Sequence, residues 1–409
     1  MARFSPTSRE EVYDFLDDYA RGDRHPDEEN GFGGGLITSY LLEYHTHGEP
    51  EGVRDLLASE EWDLEDVDGT IYRVSDGEKP LGFAESVSSR YLLVHSARPT
   101  HEADTSVMRR VRDSVALDCA WLPGSYLERL WLDWILPANP DRVAHLKFDH
   151  VARFDLRTDL WEESSDEERE SSDEHRHYVS SVSEIRDRGV RLAEVLPALQ
   201  MVHSPFRAIQ MVRVPSHQAR GAFDLWGWGK MTYRSPDFRR GRGYMEAFAE
   251  FYGRVVAAIE KRLWFSVEND SGLAYGIEGA PLTLTFDPPL EGDVFEALID
   301  TTFVRGVGPL RLWGNPIRVG ERRVHVYGID KHLWHRMHME LTPGGLTVVL
   351  PKGTCGNTVN RLIANVQRYV HPGVRAWVGD TSYSELVSDC LGGTEPDPFE
   401  SPIVDIPSR

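Results

Sequence analysis

The strongest constraint on the fold is a repeated order in the C-terminal half, where short strand patterns precede one long amphipathic helix. Residues 324–329, 334–341 and 346–350 have strand character, and a Pro-Gly-Gly turn at 343–345 separates the last two. Apolar residues then recur at helical spacing, at Val359, Leu362, Ile363, Val366 and Val370. Antiparallel strands followed by covering helices predict an α+β fold.

An earlier stretch of the chain has the same order. Residues 208–214 and 230–233 have strand character, and residues 244–263 carry one apolar stripe of helical period. A further strand at 283–286 and a helix at 293–304 are predicted between the two units. We therefore predict a C-terminal domain of mainly antiparallel sheet covered by long helices.

The N-terminal part predicts a mixed α/β domain. A helix over 8–20 should begin with a capping box, because Ser8 is followed three residues later by Glu11. Residues 36–46 and 51–60 are predicted as helices, 70–74 and 91–95 as strands, and 103–114 and 124–135 as helices.

An acidic low-complexity run sets the predicted domain boundary. Residues 162–177 read EESSDEERESSDEHRH and contain no apolar residue that a core could bury. We predict an N-terminal domain at 1–160, an acidic linker or inserted loop at 161–178, a C-terminal domain at 179–390 and a flexible tail at 391–409. Residues 21–35 suggest another flexible joint.

Composition limits the class of protein. No apolar run approaches the ~18 residues that a membrane helix needs, and the N-terminus lacks the pattern of a secretory signal. Three widely separated cysteines argue against a disulfide framework and against a cysteine zinc site. We therefore predict a cytoplasmic protein with no membrane partner. Its 66 acids, and only six lysines among 45 bases, resemble the composition of a protein from a halophile or from another organism with GC-rich codons.

The net charge of −21 is spread unevenly along the chain. Residues 196–262 carry eleven bases against five acids, and residues 301–377 carry eleven against three. Residues 263–300 carry eight acids and no base. One explanation is a surface for nucleic acid or another polyanion. The other is internal docking of an acidic N-terminal half on a basic C-terminal half.

The densest basic segment is 227–244, where bases alternate with aromatic residues. Arginine pairs with phosphates and aromatic rings stack on bases, so an exposed loop here could bind nucleic acid. The candidate residues are Lys230, Arg234, Arg239, Arg240, Arg242, Tyr233 and Phe238. The alternative is a solvated loop, or one that docks on the acidic linker.

Histidines at 332, 335 and 338 have a spacing that would suit a metal site on a helix. The flanking residues predict a strand, whose alternate side chains face opposite ways, so we predict no metal site. The same parity places one polar set on a common sheet face, which could bind an anion or nucleotide or could be a solvated face. This set is Arg323, His325, Tyr327, Arg336 and His338.

A glycine-containing turn at 352–358 joins a strand to a helix. Backbone N–H groups at a helix N-terminus attract anions, so Lys352, Gly353 and Thr354 are candidate anion-binding residues. The segment does not match the P-loop pattern, and Asn357 or Thr358 could instead be a simple helix cap. Two further histidines, His45 and His47, could be metal ligands or part of a polar helix end.

Three functions remain open from the sequence. The first is a non-catalytic protein whose basic C-terminal half binds nucleic acid or another polyanion. The second is an enzyme acting on a phosphorylated or nucleotide-like substrate at residues 323–358. The third is a structural subunit held together by internal charge docking. No cofactor motif is present in the sequence, so we predict no cofactor.

Overall fold

The computed structural model describes residues 6–22, 36–45, 62–77, 79–154, 180–216, 221–270 and 274–392, together with Arg54, Leu57 and Ala58. These residues form helices and two mainly antiparallel sheets, which confirms the predicted α+β class. The predicted acidic linker, most of the predicted helix at 51–60, most of the predicted joint at 21–35 and nearly all of the predicted tail lie outside the described residues.

The larger sheet has eleven strands among the described residues. Its strands are β1 (Thr38–Tyr44), β2 (Asp63–Asp66), β3 (Ile71–Asp76), β4 (Lys79–Ser86), β5 (Tyr91–Ser96), β6 (Leu117–Cys119), β7 (Val143–Val151), β8 (Ser180–Arg188), β9 (Ile209–Pro215), β10 (Ala222–Trp226) and β11 (Lys230–Tyr233). The order across the sheet is β2-β3-β4-β5-β1-β11-β10-β9-β7-β8, and β6 also pairs with β1.

The second sheet has nine strands in the described part of the chain. They are β12 (Trp264–Asp270), β13 (Ala274–Glu278), β14 (Leu282–Thr285), β15 (Leu312–Gly320), β16 (Arg323–Asp330), β17 (Arg336–Thr342), β18 (Gly345–Pro351), β19 (Arg375–Val378) and β20 (Thr381–Ser382). The order is β15-β16-β17-β18-β14-β19-β20, and β12 pairs with β13 and β18.

The helices are α1 (Arg9–Arg21), α2 (Thr100–Asp113), α3 (Gly124–Leu130), α4 (Gly189–Val202), α5 (Phe238–Leu263), α6 (Gly292–Ile299), α7 (Asn357–Tyr369) and α8 (Tyr383–Gly392). Helix α3 continues through a π-helical turn at Trp131–Ile135, and α6 through another at Asp300–Val304. One large apolar core includes residues from both sheets and from helices α1, α5 and α7. Within the described ranges, no helix combines the length and the apolar character required to cross a membrane.

Two local predictions are confirmed, the capped start of α1 and the alternating burial of strands β16 to β18. Ser8 caps α1 and accepts a hydrogen bond from the Glu11 N–H, as the capping box predicted. Burial alternates along β16, β17 and β18 with the predicted parity, so Met337 and Met339 are buried while His338 is exposed. The pleat of a sheet with one solvated face explains this alternation.

The predicted helix at 36–46 is wrong, because Thr38–Tyr44 forms strand β1 between β5 and β11. Every residue of β1 is buried, so apolar side chains on both faces imitate a helical repeat. The predicted start of the long helix at Tyr244 is also wrong. Helix α5 begins at Phe238, because Asp237 caps it by accepting a hydrogen bond from the Arg240 N–H at 2.9 Å.

The predicted boundary at 161–178 falls inside one sheet. Strand β7 precedes it and β8 follows it, and the two strands pair antiparallel over nine residues. Strands β9 to β11 then add to the same sheet. The division into the two sheets therefore comes after β11, well beyond the acidic run.

Candidate metal centre between the two sheets

Strand β1 supplies the first two residues of the candidate site. Glu43 lies near the end of β1 opposite Asp118 of β6, and His45 follows the strand. The backbone of His45 stays attached to the same region, since its N–H donates to Ala116 O at 3.0 Å. The Glu43 side chain is fully buried and that of His45 is 26% exposed.

The loop between β16 and β17 supplies the third residue, His332. Leu333 and Trp334 have left-handed φ values of 61° and 52°, so the chain reverses sharply here. The Leu333 N–H donates to Val115 O at 3.0 Å, which fixes this loop of the second sheet against the segment before β6. His332 is fully buried as a result.

The turn between β18 and α7 supplies the fourth residue, Cys355. Its Sγ donates to Glu43 Oε2 at 3.1 Å, and the next residue's N–H, on Gly356, donates to Glu260 Oε1 at 2.9 Å. A Cβ at position 356 would lie 2.8 Å from Val256 O, so only glycine permits this close approach to α5.

The ligand atoms of these four side chains all lie within 4.8 Å of one another. His45 and His332 stand edge to face with ring centroids 5.4 Å apart, and His45 Nε2 lies 3.6 Å from Glu43 Oε1. Neither ring nitrogen of His332 has a hydrogen-bond partner in the part of the chain that the structure describes. We call Glu43, His45, His332 and Cys355 the interface cluster, because two come from each sheet.

Glu43 and His332 are already in the protonation states that bind a metal, whereas Cys355 is not. Burial acts to raise the pKa of Glu43, but His45 and Arg90 together outweigh it and hold that pKa far below its ordinary value. Burial lowers the pKa of His332 to about 4, so its imidazole is neutral near pH 7. Burial and the nearby Glu43 charge raise the pKa of the Cys355 thiol well above its ordinary value. A metal must therefore displace the thiol proton when it binds.

Arg90 and Glu260 balance the charge around the cluster. The Arg90 guanidinium donates to Glu43, contacts Glu260 through bonds of 2.6 and 3.2 Å, and lies 3.4 Å from Cys355 Sγ. Glu43 and Glu260 carry two negative charges and Arg90 one positive charge, which leaves one negative charge. A Cys355 thiolate would add a second, and a divalent cation would then neutralise the group.

The residues predicted to bind nucleic acid are largely paired inside the protein. Lys230, Tyr233 and Phe238 are buried, so neither ring is free to stack on a base. Arg234 is bound to Asp224 at 2.5 Å, and Arg240 lies 3.8 Å from Asp237.

The two remaining arginines of the basic segment also contact acidic side chains. Arg239 lies 2.8–3.2 Å from three carboxylates of α1, and Arg242 lies 2.7 Å from the buried Glu85. The predicted exposed loop at 227–244 instead contains strand β11 and the first turns of α5. Its charge pattern matches the alternative of internal docking.

The predicted anion-binding face on the second sheet does form. Tyr327 and His338 are opposite one another with ring centroids 5.1 Å apart, and His325 lies 2.9 Å from Glu340. Arg323 lies 3.7 Å from the same Glu340 carboxylate, so part of its charge is already neutralised. Arg336 is exposed at one end of β17. Anion binding by this face stays a prediction.

The turn at 352–354, which was predicted to bind an anion, lies just before the N-terminus of α7. Thr354 is buried and its hydroxyl donates to Pro351 O at 2.7 Å, while Lys352 and Gly353 are exposed. Neither Asn357 nor Thr358 caps α7, whose N-cap is Gly356 without a side-chain bond. The Asn357 amide instead donates to Cys119 O at 2.9 Å.

The interface cluster was missed from the sequence although three of its residues lie in segments that had been singled out. His45, His332 and Cys355 each belonged to a different motif, and Glu43 was unmarked. Glu43 and Cys355 are 312 residues apart in the chain, so no spacing rule connects them. The available signal was that His332 and Cys355, both of metal-ligand type, each lie in a turn next to a strand.

Comparison with known proteins places the chain in a family without giving an activity. An uncharacterised protein, MJECL33 of Methanocaldococcus jannaschii, is 22% identical over 361 residues, which are 81% of this chain and 84% of that protein. No solved structure matches. A family model described as MJECL33-like protein matches residues 1–385, a range that includes the whole interface cluster. The chain therefore belongs to the MJECL33-like protein family.

Proposed function

We propose that this protein binds a divalent transition-metal ion, with Zn²⁺ as the best match, between Glu43, His45, His332 and Cys355. The observation that carries the proposal is His332. It is fully buried, its pKa keeps it neutral, and both its ring nitrogens lack a hydrogen-bond partner among the described residues while facing three other metal-ligand side chains. A buried polar group without a partner costs free energy, which a bound ion would recover.

The ligand set selects the class of metal. Thiolate and imidazole together favour zinc or another late first-row ion, whereas Mg²⁺ and Ca²⁺ prefer oxygen ligands alone. Four protein ligands in a buried place correspond to a closed site, which in zinc proteins is the structural type. The ion would join β1 of the larger sheet to two turns of the second sheet, so its role is to hold the sheets together.

Two of the three functions left open by the sequence have less support, and the third, a structural subunit held together by internal charge docking, stays a prediction. Nucleic-acid binding through the basic segment depended on Arg239, Arg242 and two aromatic rings that are paired or buried in the fold. An enzyme acting at the exposed face of β16 and β17 would need a further catalytic group beside His325 and His338. Both stay predictions, and the metal site is the one that the geometry favours.

The direct test is metal analysis of the full-length chain purified without chelator. We expect about one equivalent of zinc by mass spectrometry of the digested protein. Replacement by Co²⁺ should give a thiolate-to-cobalt charge-transfer band, because Cys355 would be a ligand. Cys355→Ser should remove that band and His332→Ala should weaken binding.

Matched controls are available in the same chain. Cys390→Ser changes a cysteine outside the cluster, and His371→Ala changes another buried histidine. Both variants should bind the metal like the wild type. The proposal fails if the unaltered protein binds no divalent ion above background, or if the cluster variants bind as much as the two controls.

A further inference from the structure

A second buried group of charges adjoins the interface cluster. Arg361 of α7 is fully buried and donates to both Asp118 of β6 and Asp330 at the end of β16. Arg311 lies 3.3 Å from Asp118, so two arginines offset two carboxylates. The planar guanidinium of Arg361 bridges the two carboxylates through separate N–H groups, which fixes their relative positions.

Each carboxylate of this group is attached to one side of the interface cluster. Asp118 lies directly opposite Glu43 in the β6–β1 pairing. Asp330 Oδ1 accepts the backbone N–H of His332 at 2.9 Å, and its Oδ2 accepts the Thr358 hydroxyl. The strand that carries Glu43 is therefore connected to the loop that carries His332 by a network of ion pairs, formed by Asp118, Arg361 and Asp330.

The loop needs such an anchor, because its backbone is not regular. Two successive non-glycine residues in it adopt left-handed φ values, a conformation that costs free energy unless the surroundings impose it. Asp330 also holds the far end of the loop, since its own N–H donates to His335 O at 2.8 Å.

We infer that Asp118, Arg361 and Asp330 are positioning residues for the metal site, which place the His332 imidazole against Glu43, His45 and Cys355. This inference rests on the proposed function. Groups that orient metal ligands in this way typically contribute about 10–100-fold to metal affinity when one is removed. Asp330 is the member to change, because it alone binds both Arg361 and the backbone of His332.

The test measures Co²⁺ affinity and the cobalt spectrum of full-length Asp330→Ala. We expect an affinity loss of about 10–100-fold. The thiolate band should persist, because Cys355 is untouched, while the ligand-field bands should match those of His332→Ala. Thr358→Val, which removes only the hydroxyl bond to Asp330, should give a smaller loss of the same kind. Arg361→Lys should retain more affinity than Arg361→Met.

A buried carboxylate elsewhere separates positioning from general destabilisation. Asp224 is 1% exposed and is also held by two arginines, Arg213 and Arg234, but it does not belong to the site. Asp224→Ala should lower stability and leave the cobalt spectrum unchanged.

The possible results are distinct. If Asp330→Ala binds Co²⁺ with wild-type affinity and spectrum, the positioning role is overturned while the metal site stands. If Asp330→Ala does not fold, the test rests on Thr358→Val alone. An unchanged Co²⁺ affinity of Thr358→Val would then overturn the positioning role of Asp330. If the wild type binds no metal, the proposed function and this inference both fail.

Discussion

Reversing the charge of Arg242 should destabilise this protein far more than reversing the charge of Arg239, although both belong to the same basic segment. Arg242 has a side chain that is 15% exposed and contacts Glu85, which is fully buried. Burial acts to raise the pKa of Glu85, but His95 and Arg242 outweigh it and hold that pKa at about 2, so the carboxylate is charged at neutral pH. Arg242→Glu would place a second carboxylate beside it.

The magnitudes follow from burial. Removing one partner of a buried ion pair costs about 3–5 kcal/mol, and here the Glu85 carboxylate would lose its arginine and keep His95 at 3.2 Å. Arg239 is 40% exposed, and two of its three carboxylate partners are about 70% exposed. Exposed pairs contribute about 0.2–1 kcal/mol each, so Arg239→Glu should cost roughly 1–2 kcal/mol. The two variants should therefore differ by about 1–4 kcal/mol.

Urea unfolding followed by tryptophan fluorescence measures this difference through the midpoint and the slope m. Arg336→Glu is the control, because this arginine is exposed on the second sheet and should change the midpoint little. Equal midpoints for Arg239→Glu and Arg242→Glu would refute the reasoning. Binding of nucleic acid should be compared in Arg239→Glu, which is expected to remain folded, by nuclease treatment and the absorbance ratio at 260 and 280 nm.

Three further perturbations test the packing and the buried charges. Gly241→Ala should cost about 1–3 kcal/mol in thermal unfolding, because its Cβ would lie 2.1 Å from Tyr233 Cε1. Gly243→Ala in the same helix meets nothing within 4 Å and should stabilise by about 0.5–1 kcal/mol. Leu362→Ala on α7, a fully buried position, should cost about 2–5 kcal/mol in urea unfolding. Glu85 has its pKa lowered to about 2 from 4.5, so stability should fall as pH drops from 4.5 towards 2, and Glu85→Gln should flatten this dependence in acid titrations of the midpoint.

Regular periodic segments were predictable because their burial has one simple geometry. The alternation along β16 to β18 follows from a single buried face. The apolar stripe predicted helix α7, although that helix is buried on all sides from Asn357 to Gln367. The same logic gave the wrong structure for β1, where burial on both faces removes the alternation. The basic segment was misjudged for a related reason, since sequence shows its charges but not their partners. The Arg239 partner Asp14 lies 225 residues away on α1, and the Arg242 partner Glu85 lies 157 residues away on β4.

The sequence alone determined the α+β class, the capped first helix and the faces of the strands in the second sheet, since these depend on residues within a few positions of each other. Only the tertiary structure decided that the larger sheet continues past the acidic run, and that Glu43 and His45 meet His332 and Cys355. These outcomes depend on contacts between segments up to 312 residues apart. Local propensity and periodicity carry no information about such contacts, because they are selected by the packing of the whole core.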